Sequence, residues 1–188
     1  EEEMRRVLPF VQAAVQFGVP ISVDTYKAQV MQAVLDAGAD IINDVWALRQ
    51  PGAQSVVANH PHCGVVLMHM HKTPQDMQQT PMQGDAVAQV QNFLAQQTQA
   101  LVALGVERQR IVWDYGIGFG KTVAHNFTLL AHQAALTRQG FALLAGWSRK
   151  SSLGQVTNLS VEERMVPSVA AAVLAVERGA RIVRVHDV

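Results

Sequence analysis

The chain has 188 residues, 49% of them hydrophobic, and its 15 Lys plus Arg balance its 15 Asp plus Glu. That composition supports one substantial core, while the zero net charge offers no basic face for nucleic acid and no basic tail for an anionic membrane. No apolar run approaches the about 18 residues of a membrane span, the chain opens Glu1-Glu2-Glu3 rather than with a basic leader, and a lone cysteine excludes an intrachain disulfide, so a cytoplasmic protein is expected.

Hydrophobic periodicity predicts a helix over 1–17, with the apolar stripe Met4, Val7, Leu8, Val11, Ala14 and Val15. A strand over 20–24, a helix over 27–37, a strand over 40–45, a helix over 51–59 and a strand over 64–69 follow. A loop over 70–83, long for a strand-to-helix connection, leads to a helix over 84–104. It reads either as a lid over the strand ends or as a surface excursion. Next come a strand over 110–114, a Gly-rich loop over 115–121, a helix over 124–138, a strand over 141–147, a loop over 148–160, a helix over 161–178 and a strand over 181–186.

The strands are continuous apolar runs, as expected of a parallel sheet buried on both faces, and their alternation with helices implies right-handed crossovers. Each is introduced by a glycine: Gly18, Gly38, Gly64, Gly105, Gly140 and Gly179. Five of these close helical segments, where left-handed backbone is common, and Gly64 follows a Pro-containing turn. Each strand ends in polar chemistry, the arrangement of an α/β barrel with its active site at the C-terminal ends of the strands. No interior linker divides the chain, so a single domain over 1–188 is expected.

The segment Trp113-Asp114-Tyr115-Gly116-Ile117-Gly118-Phe119-Gly120-Lys121-Thr122 is the most distinctive. A phosphate-binding loop of the Walker type needs Gly where Tyr115 stands, and a dinucleotide fingerprint needs Gly where Lys121 stands. What remains is a strand-end carboxylate followed by glycines that let backbone approach a flat ligand closely, or a simple tight turn. Asp24, Asn43 and Asp114 end three strands and offer acceptors to a ligand edge rich in N–H donors. Each competes with a helix-capping role, most strongly at Asp44.

Ser148-Arg149-Lys150-Ser151-Ser152 sets two cations and hydroxyls after another strand, suited to an anionic or carbonyl-bearing ligand. Arg184 and His186, two apart, share one side of the last strand and can donate to phosphate oxygens, while Asp187 points away. His60, His62, Cys63, His69 and His71 crowd together but match no zinc spacing, so no protein-built metal site is expected and Cys63 reads as a small apolar residue.

Taken together, Ser22-Val23-Asp24-Thr25, Ile41-Ile42-Asn43-Asp44-Val45, Leu67-Met68-His69-Met70, Gly116 to Lys121 with His125-Asn126, Gly146-Trp147-Ser148-Arg149-Lys150-Ser151 and Arg184-Val185-His186-Asp187-Val188 resemble the dihydropteroate synthase family, in its order and along nearly the whole chain. The resemblance implies a TIM (β/α)8 barrel, here a partial barrel lacking the first two strands and the last helix. It implies condensation of 6-hydroxymethyl-7,8-dihydropterin pyrophosphate with p-aminobenzoate, releasing pyrophosphate, with Mg²⁺ on the phosphates and the ligating Asn upstream of this chain. Asp24, Asn43, Asp114 and Lys150 would grip the pterin, with Met68 and Phe119 near its ring. Ser148 and Lys150 would border p-aminobenzoate, and Arg184 and His186 would hold the pyrophosphate. Asp24, Lys150, Arg184 and His186 are the expected catalytic groups. A homodimer is expected by the same analogy. Other pterin-binding barrels, such as methyltransferase domains, and an inactive truncated pterin binder are the alternatives. One departure stands out: the family's usual Asp-Pro-Gly is Asp114-Tyr115-Gly116, so the turn that aims Asp114 is expected to be looser.

Overall fold

The computed structural model describes residues 2–73, 76, 77 and 79–188. Its elements, in chain order, are α1 (Glu2–Ala14), β1 (Ser22–Asp24), α2 (Ala28–Asp36), β2 (Ile41–Asp44), α3 (Ala53–Asn59), β3 (Gly64–Met68), α4 (Ala86–Ala103), β4 (Ile111–Asp114), α5 (Val123–Ala131), α6 (Gln133–Thr137), β5 (Ala142–Ala145), α7 (Ser151–Thr157), α8 (Met165–Glu177) and β6 (Ile182–Val183). Six parallel strands form one sheet in the sequential order β1 to β6, an α/β arrangement that carries part of a (β/α)8 barrel. Gly18, Gly38, Gly105, Gly140 and Gly179 adopt φ between 66 and 103°, and Gly64, which follows a turn, does not.

The chain divides into two compact units, Glu1–Met68 with Ala95–Val112, and His69–Leu94 with Trp113–Val188. In the first, β1 pairs with β2 and β2 with β3, with Asp24 opposite Asn43 and Asn43 opposite Val66. Val23, Met31, Val34, Ile42, Val57, Val65 and Leu67 are buried there. Removing each such side chain from water stabilises the unit by about 1.5–3 kcal/mol. Arg110 fastens the end of α3: Nη2 donates to the Val57 and His60 carbonyls at 2.8 and 2.7 Å, and Nε to the Cys63 carbonyl at 2.7 Å. These are orphan carbonyls of a helix C-terminus and its following turn, groups that a cation satisfies well. Cys63 is itself buried, as its reading as an apolar residue requires.

In the second unit β5 pairs with β6 through Leu144–Ile182 and Ala145–Val183. Trp113 stacks on Phe141 with ring centroids 4.8 Å apart, and Leu129, Leu136, Leu143, Trp147, Leu153 and Ala175 are buried. The segment expected as a loop over 148–160 instead contains α7. Its serines and Gly154 read as loop residues, but a side chain at Gly154 would collide with the Arg164 guanidinium, so the glycine serves packing inside a helix. Asn158, at φ 56°, ends that helix in the left-handed conformation usually left to glycine. The helix expected over 124–138 breaks at His132 into α5 and α6. The last strand is two residues long, against six expected.

Candidate active site

In the first unit the ends of β1 and β2 carry the acceptors. Asn43 Nδ2 donates to Asp24 Oδ2 at 2.7 Å, which the parallel register makes possible by setting the two residues side by side. Asp24 is exposed and Asn43 is buried. Met68, at the end of β3, is fully buried.

Asp44 is not a helix cap. Its Oδ1 accepts from Trp46 N at 2.7 Å and its Oδ2 from Leu48 N at 2.8 Å, closing a tight turn directly after Asn43. That turn holds Ala47 and Leu48 at φ 52 and 58°, two consecutive non-glycine residues in left-handed backbone. Such residues persist only where the surroundings over-determine them. Burial pushes the Asp44 carboxyl up to about 6, Asp24 nearby adds to the rise, and the two amides and Arg49 oppose it.

The second unit gathers the cations. Asp114 is buried, with Oδ1 accepting from Gly116 N at 2.7 Å and Oδ2 from Arg184 Nη2 at 3.0 Å. A Cβ on Gly146 would lie 2.7 Å from that guanidinium nitrogen, so the absent side chain is what admits Arg184. Lys150 Nζ lies 4.7 Å from the centroid of the Phe119 ring, a cation–π contact. Burial lowers the Lys150 ammonium from its ordinary value, Asp114 opposes, and Arg184 adds to the lowering.

Ser148 and His186 meet directly: Ser148 Oγ accepts from His186 N at 3.1 Å and lies 2.9 Å from His186 Nδ1. The paired cations of the sequence are separated, because Arg149 is held by Asp187 in an ion pair and stands at φ 57°, which leaves Lys150 as the inward cation. Asp187 turns to Arg149 and not to Asp114 or Ser148, the partners of Arg184 and His186. The strand alternation that was expected to align Arg184 with His186 ends at Val183, and the two side chains instead reach separate partners, Asp114 and Ser148.

Tyr115 corrects the expected looseness of the Asp114 turn. It is fully buried, its hydroxyl donating to Gln133 Oε1 and accepting from Trp147 Nε1, both at 3.0 Å, while Gln133 Nε2 donates to the Ala175 carbonyl at 2.7 Å. A proline would fix φ; the phenol instead anchors the turn through a buried chain of hydrogen bonds.

The Gly-rich loop also differs from expectation. Gly116, Gly118 and Gly120 all have positive φ, but the close approach at Gly120 is to the chain itself: a Cβ there would meet His71 Cβ at 2.7 Å and the His71 carbonyl at 2.8 Å. His71 N donates to the Phe119 carbonyl at 3.4 Å and Met82 N to the Gly120 carbonyl at 2.9 Å. The long loop is therefore pinned onto the glycine loop at both ends, with Met70 and Met82 buried. Pro74, Gln75 and Gln78, in its middle, lie outside the described residues.

Two residues passed over as sequence signals stand out here. Lys121 is buried, and its Nζ donates to the carbonyls of Gly116, His69 and Phe119 at 2.9, 3.2 and 3.3 Å. Asn126, buried on α5, accepts from Gly118 N at 3.2 Å and donates to Ser152 Oγ at 2.7 Å. Their only sequence signal was membership of the glycine motif and the His125-Asn126 pair. Among the described residues no group of three or more His, Cys, Asp or Glu stands ready to hold a metal, and no helix is long and apolar enough to cross a membrane.

The chain is similar to solved and curated proteins along its whole length. It is 41% identical to the dihydropteroate synthase of Haemophilus influenzae, over all of this chain and 68% of that protein. The Xanthomonas albilineans dihydropteroate synthase in complex with 7,8-dihydropteroate superposes with a TM-score of 0.92 at 46% identity, covering 100% of this chain and 69% of that one. The same enzyme with 4-aminobenzoic acid gives a TM-score of 0.92 at 47% identity, over 99% and 66%. The chain thus spans about two thirds of the length of these proteins. The profile of the family described as pterin binding enzyme matches residues 1–186, and with acceptors at the tips of β1, β2 and β4 and cations after β5 and β6, the chain belongs to that family.

Proposed function

We propose that the chain carries out the dihydropteroate synthase reaction, joining the methylene of 6-hydroxymethyl-7,8-dihydropterin pyrophosphate to the amine of p-aminobenzoate with release of pyrophosphate. The observation that carries this reading is the buried Asp114, set against Arg184 at 3.0 Å and electrostatically felt by Lys150 and Lys121. A carboxylate so placed accepts from the donor edge of a pterin while cations beside it meet an anionic leaving group. The relatives solved with dihydropteroate and with 4-aminobenzoic acid support this choice of substrates.

In this reading Asp114 takes the ring N–H donors of the pterin. Phe119 packs near the ring, and Lys150, lying on Phe119, donates to a ring acceptor. Arg184 and His186 meet the pyrophosphate, and Ser148, which fixes His186, borders p-aminobenzoate together with Lys150. As the C–O bond to pyrophosphate breaks, positive charge grows on the methylene and negative charge on the leaving oxygens, where the cations stabilise it. The aromatic amine is already neutral and nucleophilic near neutral pH, so the step needs no strong base. Mg²⁺, expected on the phosphates, would take its Asn ligand from upstream of these residues, in keeping with the described residues, among which no group of three or more His, Cys, Asp or Glu stands ready to hold a metal.

Calorimetric titration with pyrophosphate and with a 6-hydroxymethylpterin tests the assignment. Arg184→Ala is expected to weaken pyrophosphate binding by about tenfold or more, since a charge-assisted pair is lost. An unchanged pyrophosphate affinity removes Arg184 from the site, and a wild-type chain that binds neither ligand overturns the reading.

A further inference from the structure

Lys121 has an unusual setting for a lysine. It is 5% exposed, and each of its three hydrogen bonds among the described residues goes to a main-chain carbonyl rather than to a carboxylate. Two of these carbonyls, Gly116 and Phe119, belong to the glycine loop, and the third, His69, begins the long loop. An ammonium has three N–H donors, so full protonation satisfies all three carbonyls at once, whereas a neutral amine has two N–H donors for three acceptors. Burying a cation without such partners costs several kcal/mol by order of magnitude. The loop it organises has three left-handed glycines and little stiffness of its own.

What the loop carries is Phe119, the ring under Lys150. Asp114, whose carboxylate fixes Gly116 N, sits at its start. Resting on the proposed function above, we infer that Lys121 is a positioning residue for the pterin site: its ammonium ties Gly116, Phe119 and His69 into one fixed arrangement that sets the Phe119 ring and the Asp114 carboxylate.

The charged groups that bear on it are Asp114, which favours the ammonium, and Lys150, which disfavours it; Lys121 in turn bears on His71, as does Lys72. Burial brings Lys121 down to about 7, so the tether changes from three donors to two across neutral pH.

The test has a ligand-free arm and a ligand arm. Amide hydrogen exchange and amide chemical shifts of Gly118, Phe119 and Gly120 are followed in the wild-type chain from about pH 6 to 8.5, spanning the Lys121 titration. These signals are expected to titrate together with the Lys121 ε-CH₂ resonance, and Lys121→Met is expected to abolish that step and to speed exchange at these amides by about tenfold or more. Titration with a 6-hydroxymethylpterin is expected to show affinity falling as pH rises through the same interval in wild type, and an affinity about tenfold weaker and independent of that step in Lys121→Met. Loop amides that stay flat in wild type while Lys121 titrates overturn the inference, and this measurement stands even if Lys121→Met does not fold. A folded Lys121→Met chain that keeps the wild-type pH profile of pterin affinity also overturns it. If the wild-type chain binds no pterin while its loop tracks Lys121, the functional reading fails and the tether itself stands.

Discussion

The strand ends of the two units solve opposite electrostatic problems. In the first, Asp24 and Asp44 lie close enough for each to feel the other, and the chain answers with neutral donors: the Asn43 amide on Asp24, and the Trp46 and Leu48 backbone amides on Asp44. In the second, Asp114 is flanked by Lys121, Lys150 and Arg184, and carbonyls and an aromatic face absorb the excess of cation. The carboxylates of the first unit are thus met by neutral donors, and that of the second by cations. Dipoles hold the carboxylates of the first unit without neutralising them, whereas Asp114 is met by a guanidinium directly and by two ammonium groups at longer range.

The largest effect is expected where one carboxylate faces several cations. Asp114→Ala removes the carboxylate that Arg184 pairs with and leaves Gly116 N without that acceptor. It is expected to lower stability by about 3 kcal/mol and to abolish pterin binding. Urea unfolding with calorimetry reads both, and a variant as stable as wild type would break the contrast between the two units.

A smaller effect is expected at Asp44. Asp44→Asn turns one acceptor oxygen into a donor facing a backbone amide, at a cost of about 2 kcal/mol in denaturant midpoint experiments at neutral pH. The pH dependence sharpens the point. The folded carboxyl stands near 6, above its ordinary 3.8, so its contribution to stability is present in full below the unfolded value and is lost as pH rises through about 6. Wild type is expected to show that step between about pH 4 and 6 and Asp44→Asn to lack it, so an identical pH dependence in the two proteins would remove Asp44 from the picture. The smallest effect is expected at exposed Asp24, where Asp24→Ala costs under about 1 kcal/mol of stability yet weakens pterin binding. A stability loss as large as that at Asp114 would erase the difference between the two units.

The order of strands and helices was legible because burial on both faces demands uninterrupted apolar runs, and Ile41-Ile42 and Val65-Val66-Leu67 are such runs. The polar tips were legible for the same reason: Asp24, Asn43 and Asp114 stand where such a run stops. The helix α7 was hidden by Ser151, Ser152 and Gly154, since helical propensity is a weak prior and the deciding contact, Arg164 against Gly154, comes from ten residues away. The β6 strand was read too long because Val185 continues the apolar pattern beyond the last paired residue.

The sequence alone determined the repeat, the strand-end chemistry and the family, because periodicity, glycine placement and motif order are local along the chain. Tertiary structure decided the pairings. Arg184 chooses Asp114, Arg149 chooses Asp187, Tyr115 replaces a rigid ring with a buried hydrogen-bond chain, and Lys121 spends its charge on three carbonyls. Spacing does not encode these choices: each partner lies many residues away or is a main-chain atom that every residue possesses, and desolvation selects among them only once the chain is packed.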